Sequence, residues 1–216
     1  MKNRNKQVGK FFNSVADTYD MVHLEHIDGG LQSKIDTVKF IPNSAIKILD
    51  LGAGTGLELE FIFDKNKNAE VDCVDISQGM LDKLKEKYRN FRINIFCQDY
   101  FKFNFQPEKY DAVLSIMSFH HFSDIEKEKL YQLIFSTLTV DGVFVCSDYC
   151  AKNKEEEKFF RRELKKLMAE KSEEVFSYDI PTYPKTDIDL LKKVGFSDVE
   201  IKWQNNCNVC ITAYKK

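Results

Sequence analysis

Short apolar runs alternate along most of the chain with segments whose apolar residues recur every three or four positions. The runs are bounded by turn residues and predict buried strands at 46–51, 70–76, 93–97, 110–122 (a strand running into a loop) and 143–148. The periodic segments predict amphipathic helices at 31–40, 57–63, 80–88, 126–138 and 188–194. This alternation predicts an α/β fold built on a mostly parallel sheet.

The two ends of the chain depart from the alternation. Two apolar runs, at 199–203 and 207–214, flank Asn205-Asn206 and predict an antiparallel hairpin. Residues 11–20 have near-helical spacing before the first strand, which suits either a helix covering a sheet edge or a lid over a ligand, with Tyr19 among its contacts. Segment 151–186 is highly charged and favours a helix with a solvated face, and less so a partner surface.

Three alternating glycines, Gly52, Gly54 and Gly56, follow the first predicted strand. Glycine accepts positive φ and has no Cβ, so a ligand can approach the backbone closely. The next helix directs its free N–H groups at the same gap, which favours an anionic group there. The spacing is neither the dinucleotide fingerprint G-x-G-x-x-G nor a P-loop, which needs G-K-[ST]. The loop therefore predicts a nucleotide cofactor and leaves its identity open.

Acidic residues end the second and third predicted strands. Asp75 lies roughly 20 residues past the glycines, where an acid can accept hydrogen bonds from ribose hydroxyls. The alternative is that Asp75 caps the helix that starts near Ser77. Asp99, after Gln98, could meet the amine of an adenine with Tyr100 or Phe101 beside the ring, or be an ordinary loop acid.

Two adjacent histidines, His120 and His121, follow the fourth predicted strand. The carboxyl ends of strands line the ligand crevice in open α/β sheets, so one histidine could act as a general base or orient a substrate. The alternative is that they are packed or capping residues. We name both as catalytic candidates.

Composition narrows the class of protein. The 216 residues suffice for one α/β domain, and the formal net charge of -2, with both signs mixed, provides no field that attracts nucleic acid. No apolar run approaches the length of a membrane span, and the basic start is followed by no apolar signal region, so we expect a cytoplasmic protein.

The six cysteines mostly lie in apolar, strand-like runs, where free cysteine behaves as a small buried hydrophobe. Cys207-x-x-Cys210 falls in a predicted strand, where residues three apart point to opposite faces, and no second such pair completes a zinc site. We therefore expect structural cysteines and assign no residue to a metal.

The chain as a whole resembles the class I S-adenosylmethionine-dependent methyltransferases. The matching stretches are Leu49-Asp50-Leu51-Gly52-Ala53-Gly54-Thr55-Gly56, Val74-Asp75-Ile76-Ser77-Gln78-Gly79-Met80, Gln98-Asp99, Tyr110-Asp111-Ala112-Val113 through His120-His121, and Leu191-Lys192-Lys193-Val194-Gly195-Phe196. The resemblance implies a Rossmann-like, seven-stranded, mostly parallel sheet with helices on both faces and a C-terminal antiparallel hairpin. The last strand would lie between strands five and six.

The resemblance also implies roles for single residues. Gly52 and Gly54 would approach the methionine part of S-adenosylmethionine, and Asp75 would hold the ribose. The remaining cofactor-binding candidates are Gln98 and Asp99 at the adenine, Ser115 and Ile116 near the methyl donor, and Tyr19, Asp50, Ala53, Ile76 and Met80 within the motifs. Residues 11–20 look like the lead-in of small-molecule methyltransferases, including the quinone-biosynthesis C-methyltransferases. The tail 191–215 is faintly similar to the wobble-uridine carboxy-cofactor synthases, a likeness on which no expectation is based.

The acceptor is predicted to be a small molecule. After strand four there is no Asn-Pro-Pro-Tyr type motif of amide and adenine modification, and the chain has neither a Pro-Cys pair nor an aromatic and basic stripe for RNA. We expect a single domain, 1–216, a monomer or homodimer, whose acceptor is enclosed by a lid, 1–40, and an insertion, 151–186. A nicotinamide-dependent oxidoreductase and a non-catalytic, cofactor-binding partner subunit remain as alternatives.

Overall fold

One sheet runs through the protein, and its strands alternate with helices along the chain. The computed structural model describes residues 2–22, 30–170, 179–205 and 207–216. The described strands are β1 (Lys47–Leu51), β2 (Glu70–Asp75), β3 (Ile93–Cys97), β4 (Tyr110–Ile116), β5 (Leu138–Tyr149), β6 (Ser197–Gln204) and β7 (Asn208–Tyr214). The helices in the described part are α1 (Lys2–Val15), α2 (Tyr19–Met21), α3 (Gly30–Val38), α4 (Leu59–Lys65), α5 (Gln78–Lys87), α6 (Asp124–Thr137), α7 (Lys154–Glu170) and α8 (Pro184–Val194).

The seven strands lie in the order β3-β2-β1-β4-β5-β7-β6. The first five pair in parallel, whereas β7 is antiparallel to both β5 and β6. This confirms the predicted sheet, including the insertion of the last strand between strands five and six. The order reverses between β1 and β4, and the crevice outside the carboxyl ends of strands at such a point is where α/β sheets bind ligands.

The core consists of two apolar layers, one on each face of the sheet. Successive residues of a strand point to opposite faces, so Ile48 and Leu114 pack with α3, α4 and α5, while Leu49 and Val113 pack with α6 and α8. Each of these four side chains is almost completely buried. The predicted helices on both faces are therefore confirmed, and the layers hold the carboxyl ends of β1 and β4 at fixed positions.

The fifth strand begins earlier than the sequence pattern predicts. The sequence pattern predicts a strand that begins at residue 143, after the turn-favouring pair Asp141-Gly142, but β5 starts at Leu138, directly after α6. The N–H of Asp141 donates to the carbonyl of Lys215 at 2.7 Å, and the N–H of Lys215 donates to the carbonyl of Gly142 at 3.0 Å. Pairing with the chain beyond β7 thus extends the strand through a dipeptide that locally favours a turn.

Two other predictions concern segments that are described only in part. The predicted lid, 1–40, includes residues 1 and 23–29, and the predicted insertion, 151–186, includes residues 171–178, all outside the described ranges. Asn206 of the predicted hairpin turn also lies outside them, while the side chain of Asn205 accepts hydrogen bonds from the N–H groups of Cys207 and Asn208. Within the described ranges, no helix has the length and apolarity needed to cross a bilayer.

A buried polar cluster fastens the segment before α8 to α6. The ammonium of Lys127 donates to Thr182 at 2.7 Å and to both carboxylate oxygens of Asp187 at 3.1 and 3.3 Å. The hydroxyl of Tyr131 donates to the same carboxylate at 2.7 Å. Buried charges are tolerated when they are paired and hydrogen-bonded in this way. The cluster fixes the path of the chain just after residue 179, beside the carboxyl ends of β4 and β5.

Candidate active site

A cleft of about 790 Å³ opens at the carboxyl ends of β1, β2, β3 and β4. Of the residues predicted from the sequence, those that line it are Tyr19, Gly52, Ala53, Gly54, Asp75, Ile76, Met80, Gln98, Asp99, Ile116 and His121. Three predicted residues, Asp50, Ser115 and His120, lie behind this lining. The empty space of about 790 Å³ includes the solvent at the open mouth of the cleft.

The glycine loop has the backbone conformation that its sequence predicts, since Gly52, Gly54 and Gly56 all have positive φ, at 85°, 51° and 75°. At Gly52 the surrounding protein also leaves no room for a side chain. A Cβ placed there would lie 2.6 Å from atoms of Ser118 and from the hydroxyl of Tyr100. Those two side chains are hydrogen-bonded to each other at 2.6 Å, so the loop rests on a buried polar pair.

Asp75 fastens the glycine loop to the end of β2. One of its carboxylate oxygens accepts a hydrogen bond from the N–H of Gly54 at 3.0 Å, and the other accepts one from the N–H of Ser77 at 2.8 Å. The N-cap of α5 is Ser77, whose hydroxyl accepts from the N–H of Met80. Burial raises the pKa of Asp75 to about 6, although three backbone donors, Ser77, Gly54 and Ile76, act in the opposite direction. Asp75 therefore faces the cleft as a carboxylate that titrates just below neutral pH.

At the β1 end of the cleft, the predicted residue Asp50 lies with two charged residues that were not predicted, Lys34 and Glu58. Lys34 of α3 and Glu58, which precedes α4, are both buried, both line the cleft and form an ion pair at 3.3 Å. Behind them, burial raises the pKa of Asp50 well above its usual range, and the negative charge of Glu58 raises it further. Asp50 Oδ2 and Glu58 Oε1 are buried and have no hydrogen-bond partner among the described atoms. No sequence motif marks Lys34, which reaches the site only through the packing of α3.

The described part of the N-terminal segment lies across the cleft. Val8, Phe12 and Tyr19 line it, and the amide oxygen of Asn13 accepts a hydrogen bond from the N–H of Gly79 at 2.8 Å. This contact docks α1 on the N-terminal end of α5. The carboxylate of Asp20 accepts a hydrogen bond from the hydroxyl of Thr55 and forms an ion pair with Lys87, so α2 is tied to the glycine loop. Val8, Phe12 and Tyr19 therefore cover the cleft, and α1 also packs on α5.

Residues after β4 form the opposite wall. Ile116, Met117 and His121 line the cleft, and the ring of His121 lies 5.7 Å from that of Phe12, centroid to centroid. Ser115 points the other way, since its hydroxyl donates to the carbonyl of Leu51 at 2.7 Å. The wall is therefore mostly apolar and aromatic, with His121 as its titratable group.

His120 lies behind His121 and is held by Asp148 at the end of β5. Asp148 accepts from the backbone N–H of His120 at 2.8 Å and faces its ring Nδ1 at 2.5 Å. Burial on its own lowers the pKa of His120, but the adjacent carboxylate outweighs burial and raises it. The same contact lowers the pKa of Asp148 despite its burial. Asp148 thus orients the ring of His120, which lies one residue removed from the cleft.

Comparison with known proteins agrees with this arrangement. The family described as "Methyltransferase domain" matches residues 48–142, which run from β1 into β5 and include the glycine loop and Asp75. A carboxy-S-adenosyl-L-methionine synthase from Nautilia profundicola is 27% identical over 190 residues, covering 81% of this chain and 80% of the relative. A malonyl-[acyl-carrier protein] O-methyltransferase from Priestia megaterium is 31% identical over 145 residues, covering 62% of this chain and 52% of the relative.

The chain is a class I S-adenosylmethionine-dependent methyltransferase. The solved DhpI–SAH complex has the same fold as this methyltransferase, with a TM-score of 0.75 at 15% identity, over 99% of this chain and 97% of that one. The methyltransferase spans about half the length of its acyl-carrier-protein relatives. The cofactor predicted from the sequence, S-adenosylmethionine, is therefore confirmed, and the nicotinamide-dependent oxidoreductase is no longer needed as an alternative.

Proposed function

We propose that the cleft binds S-adenosylmethionine along its polar side and transfers the methyl group to a small molecule held against the aromatic wall. The observation that carries the proposal is the division of one continuous cleft. Asp75 ends β2, and Gln98 and Asp99 follow β3, on one side of the reversal in strand order. Ile116 ends β4 and His121 follows it on the other side, where the ring of Phe12 contacts that of His121. A nucleoside needs hydrogen-bonding groups, and an organic acceptor that must exclude water needs apolar walls.

The polar side offers groups that suit each part of the cofactor. The carboxylate of Asp75 accepts the two ribose hydroxyls, and Gln98 with Asp99 meets the adenine. Lys34 and Glu58 provide one charge of each sign beside the glycine loop, which is the combination that a zwitterionic amino acid requires. The bound cofactor supplies an activated methyl group, so the protein has only to place the acceptor in line and exclude water. In this proposal His121 orients the acceptor.

The reaction can be tested by following both products. Purified protein with methyl-labelled S-adenosylmethionine and a panel of small phenols, amines and carboxylic acids should give S-adenosylhomocysteine and one labelled product in equal amounts. Asp75→Ala provides the inactive control. Absence of label transfer to every acceptor class, from protein that binds S-adenosylhomocysteine, would contradict the proposal and favour a non-catalytic partner subunit.

A second candidate is synthesis of the carboxylated cofactor, because the carboxy-S-adenosyl-L-methionine synthases match more of this chain than the acyl-carrier-protein relatives do. The cleft argues against it. In the described part of the lining, Lys34 is the only Lys or Arg, and it lies at the β1 end rather than beside His121. The same assay distinguishes the two candidates, since carboxylation yields a cofactor heavier by one CO₂ and no S-adenosylhomocysteine.

Cofactor binding should weaken in mild acid because of Asp75. Its pKa in the unliganded protein is about 6, and only the ionised carboxylate accepts both ribose hydroxyls. At pH 5 roughly a tenth of the protein has Asp75 ionised, so the dissociation constant of S-adenosylhomocysteine should rise roughly tenfold relative to pH 7.5. Calorimetric titration across this range measures the change.

The matched control is Asp75→Asn, which should bind more weakly at every pH and lose the dependence between pH 5 and 7.5. A wild-type affinity that stays constant over this range would contradict the assignment.

Protonation of Asp75 has the opposite effect on folding, since it makes the folded protein more stable. Asp75 binds its proton more tightly in the folded state than at the unfolded value of 3.8, so it reduces stability above pH 6 and this cost disappears as the pH falls towards 4.

We also propose that the protein works in the cytoplasm, as a monomer or homodimer, and does not act on nucleic acid. All six cysteines are free, as is usual in a reducing compartment. Four of them are buried, while Cys97 and Cys207 are exposed. The net charge of -2 provides no attraction for a polyanion.

A further inference from the structure

Two histidines and an aspartate meet at the edge of the cleft. Asp179 Oδ1 lies 3.4 Å from His120 Nε2 and 3.5 Å from His121 Nδ1. One ligand atom from each of the three residues lies within 4.8 Å of the others. At 3.4–3.5 Å, these contacts are longer than well-formed hydrogen bonds, which are about 2.7–3.2 Å.

We propose that His120 Nε2, His121 Nδ1 and Asp179 Oδ1 form a binding site for a divalent transition metal, with Zn²⁺ as the first candidate. Zinc bonds to imidazole nitrogen at about 2.0–2.1 Å and to carboxylate oxygen at about 2.0–2.2 Å, which separates two ligands of a tetrahedral site by about 3.4 Å. The observed spacing to Asp179 matches that separation. The site was not predicted from the sequence, from which we assigned no metal ligand.

The second ring nitrogen of His120 supports the site. Its Nδ1 faces the carboxylate of Asp148 at 2.5 Å, so its proton lies on that side and Nε2 is left with a lone pair towards Asp179. Metal-binding histidines almost always donate their other N–H to a carboxylate or carbonyl in this manner. The backbone N–H of His120 donates to the same carboxylate, which fixes the turn that carries both histidines.

Three chain segments bring the ligands together. Both histidines belong to the 3₁₀ turn Phe119–His121 after β4, and Asp148 ends β5 beside it. Asp179 is held close by the next residue, because the N–H of Ile180 donates to the carbonyl of His120. Asp179 is about half exposed, at 53%, so a metal ion can enter from solvent.

The site has three protein ligands, which leaves a fourth position for water or substrate, as in catalytic rather than structural zinc sites. His121 lines the cleft, so we place that position on the acceptor side. This part of the inference rests on the proposed function. A metal there would bind an acceptor hydroxyl or carboxylate oxygen and lower the pKa of a hydroxyl, which makes oxygen acceptors the favoured class.

Metal binding can be measured without turnover. Since the exposed thiols of Cys97 and Cys207 could bind Zn²⁺ themselves, the protein for this test carries Cys97→Ser and Cys207→Ser. After chelator treatment, titration with Zn²⁺ should show one ion per chain, and titration with Co²⁺ should give the visible absorption of a tetrahedral site with nitrogen and oxygen ligands. Asp179→Asn and His121→Ala should each weaken binding at least tenfold. Asp198→Asn, which removes another half-exposed carboxylate, should leave it unchanged.

Stoichiometric binding that survives both substitutions, or no binding at 100 µM (roughly the range of weak, adventitious sites), would overturn the metal site. Asp179→Asn is the variant of choice because its half-exposed side chain should not be needed for folding. S-adenosylhomocysteine binding is measured on the same samples. If the parent protein binds S-adenosylhomocysteine but not Zn²⁺, the metal site alone is wrong, whereas a parent protein that does not bind S-adenosylhomocysteine counts against the proposed function.

Discussion

Replacing Lys127 with methionine is expected to lower the free energy of unfolding by about 3–5 kcal/mol, a large share of the ~5–15 kcal/mol of a typical domain. The ammonium is buried between α6 and α8, where it bonds Thr182 and both oxygens of Asp187. Removing it leaves the carboxylate of Asp187 buried with hydroxyl donors alone and no opposite charge. Urea denaturation of the two proteins at pH 7 measures the difference.

The same two helices provide the control. Glu128 of α6 and Lys193 of α8 also form an ion pair, at 2.6 Å, but the lysine is 63% exposed. Exposed pairs contribute about 0–1 kcal/mol, so Lys193→Met should change stability little. Adding Asp187→Leu to Lys127→Met should restore much of the loss, since an apolar pair of similar volume leaves no buried charge. Equal effects of Lys127→Met and Lys193→Met would show that the buried pair does not hold α8 in place.

Replacing Gly52 with alanine is expected to weaken S-adenosylhomocysteine binding by roughly tenfold to a hundredfold. An alanine at φ 85° is strained, and its Cβ would lie 2.6 Å from Ser118 and Tyr100, so either the loop or the end of β4 must move. Backbone strain of this kind costs about 1–3 kcal/mol, and each 1.4 kcal/mol corresponds to tenfold in affinity. Calorimetric titration of both proteins with S-adenosylhomocysteine measures the loss.

Gly54→Ala separates the strain of a positive φ from the steric contact of the added Cβ. Its φ of 51° is also positive, but a Cβ there would have its nearest neighbour at 3.9 Å, the carbonyl of Gly52. We expect Gly54→Ala to reduce stability less than Gly52→Ala does. Adding Ser118→Gly to Gly52→Ala should recover part of the binding by relieving the contact. If Gly52→Ala binds within threefold of wild type, the close packing under the loop is not what requires this glycine.

The fold was predictable because its signals are local and repeat along the chain. Apolar runs at the five parallel strands, the glycines after β1 and Gly195 after α8 each follow from backbone or burial chemistry within a few residues. Gly195 has a φ of 118°, as expected of a residue that ends a helix. The limits of β5 were missed because the decisive contact, from Asp141 to Lys215, joins residues far apart in sequence.

The candidate site was predictable where a motif lies at a strand end, as for Asp75, Gln98 and Asp99. It was not predictable where a distant segment contributes a side chain. Lys34 comes from α3, and Asp179 lies beyond α7 in the chain, and neither has a sequence pattern that links it to the cleft. His120 and His121 were found together, but which one faces the cleft depends on the 3₁₀ turn and on Asp148. Tertiary packing decides these contributions.

The cleft over the glycine loop is the proposed binding site for S-adenosylmethionine. A calorimetric titration of the wild-type protein and of Asp75→Ala with S-adenosylhomocysteine tests this assignment, with NAD as the comparison ligand. We expect one S-adenosylhomocysteine per wild-type chain with a dissociation constant between about 1 µM and 1 mM. We also expect no heat with NAD, and an affinity at least tenfold weaker in a folded Asp75→Ala protein. Equal binding by Asp75→Ala, or binding of NAD in place of S-adenosylhomocysteine, would contradict it.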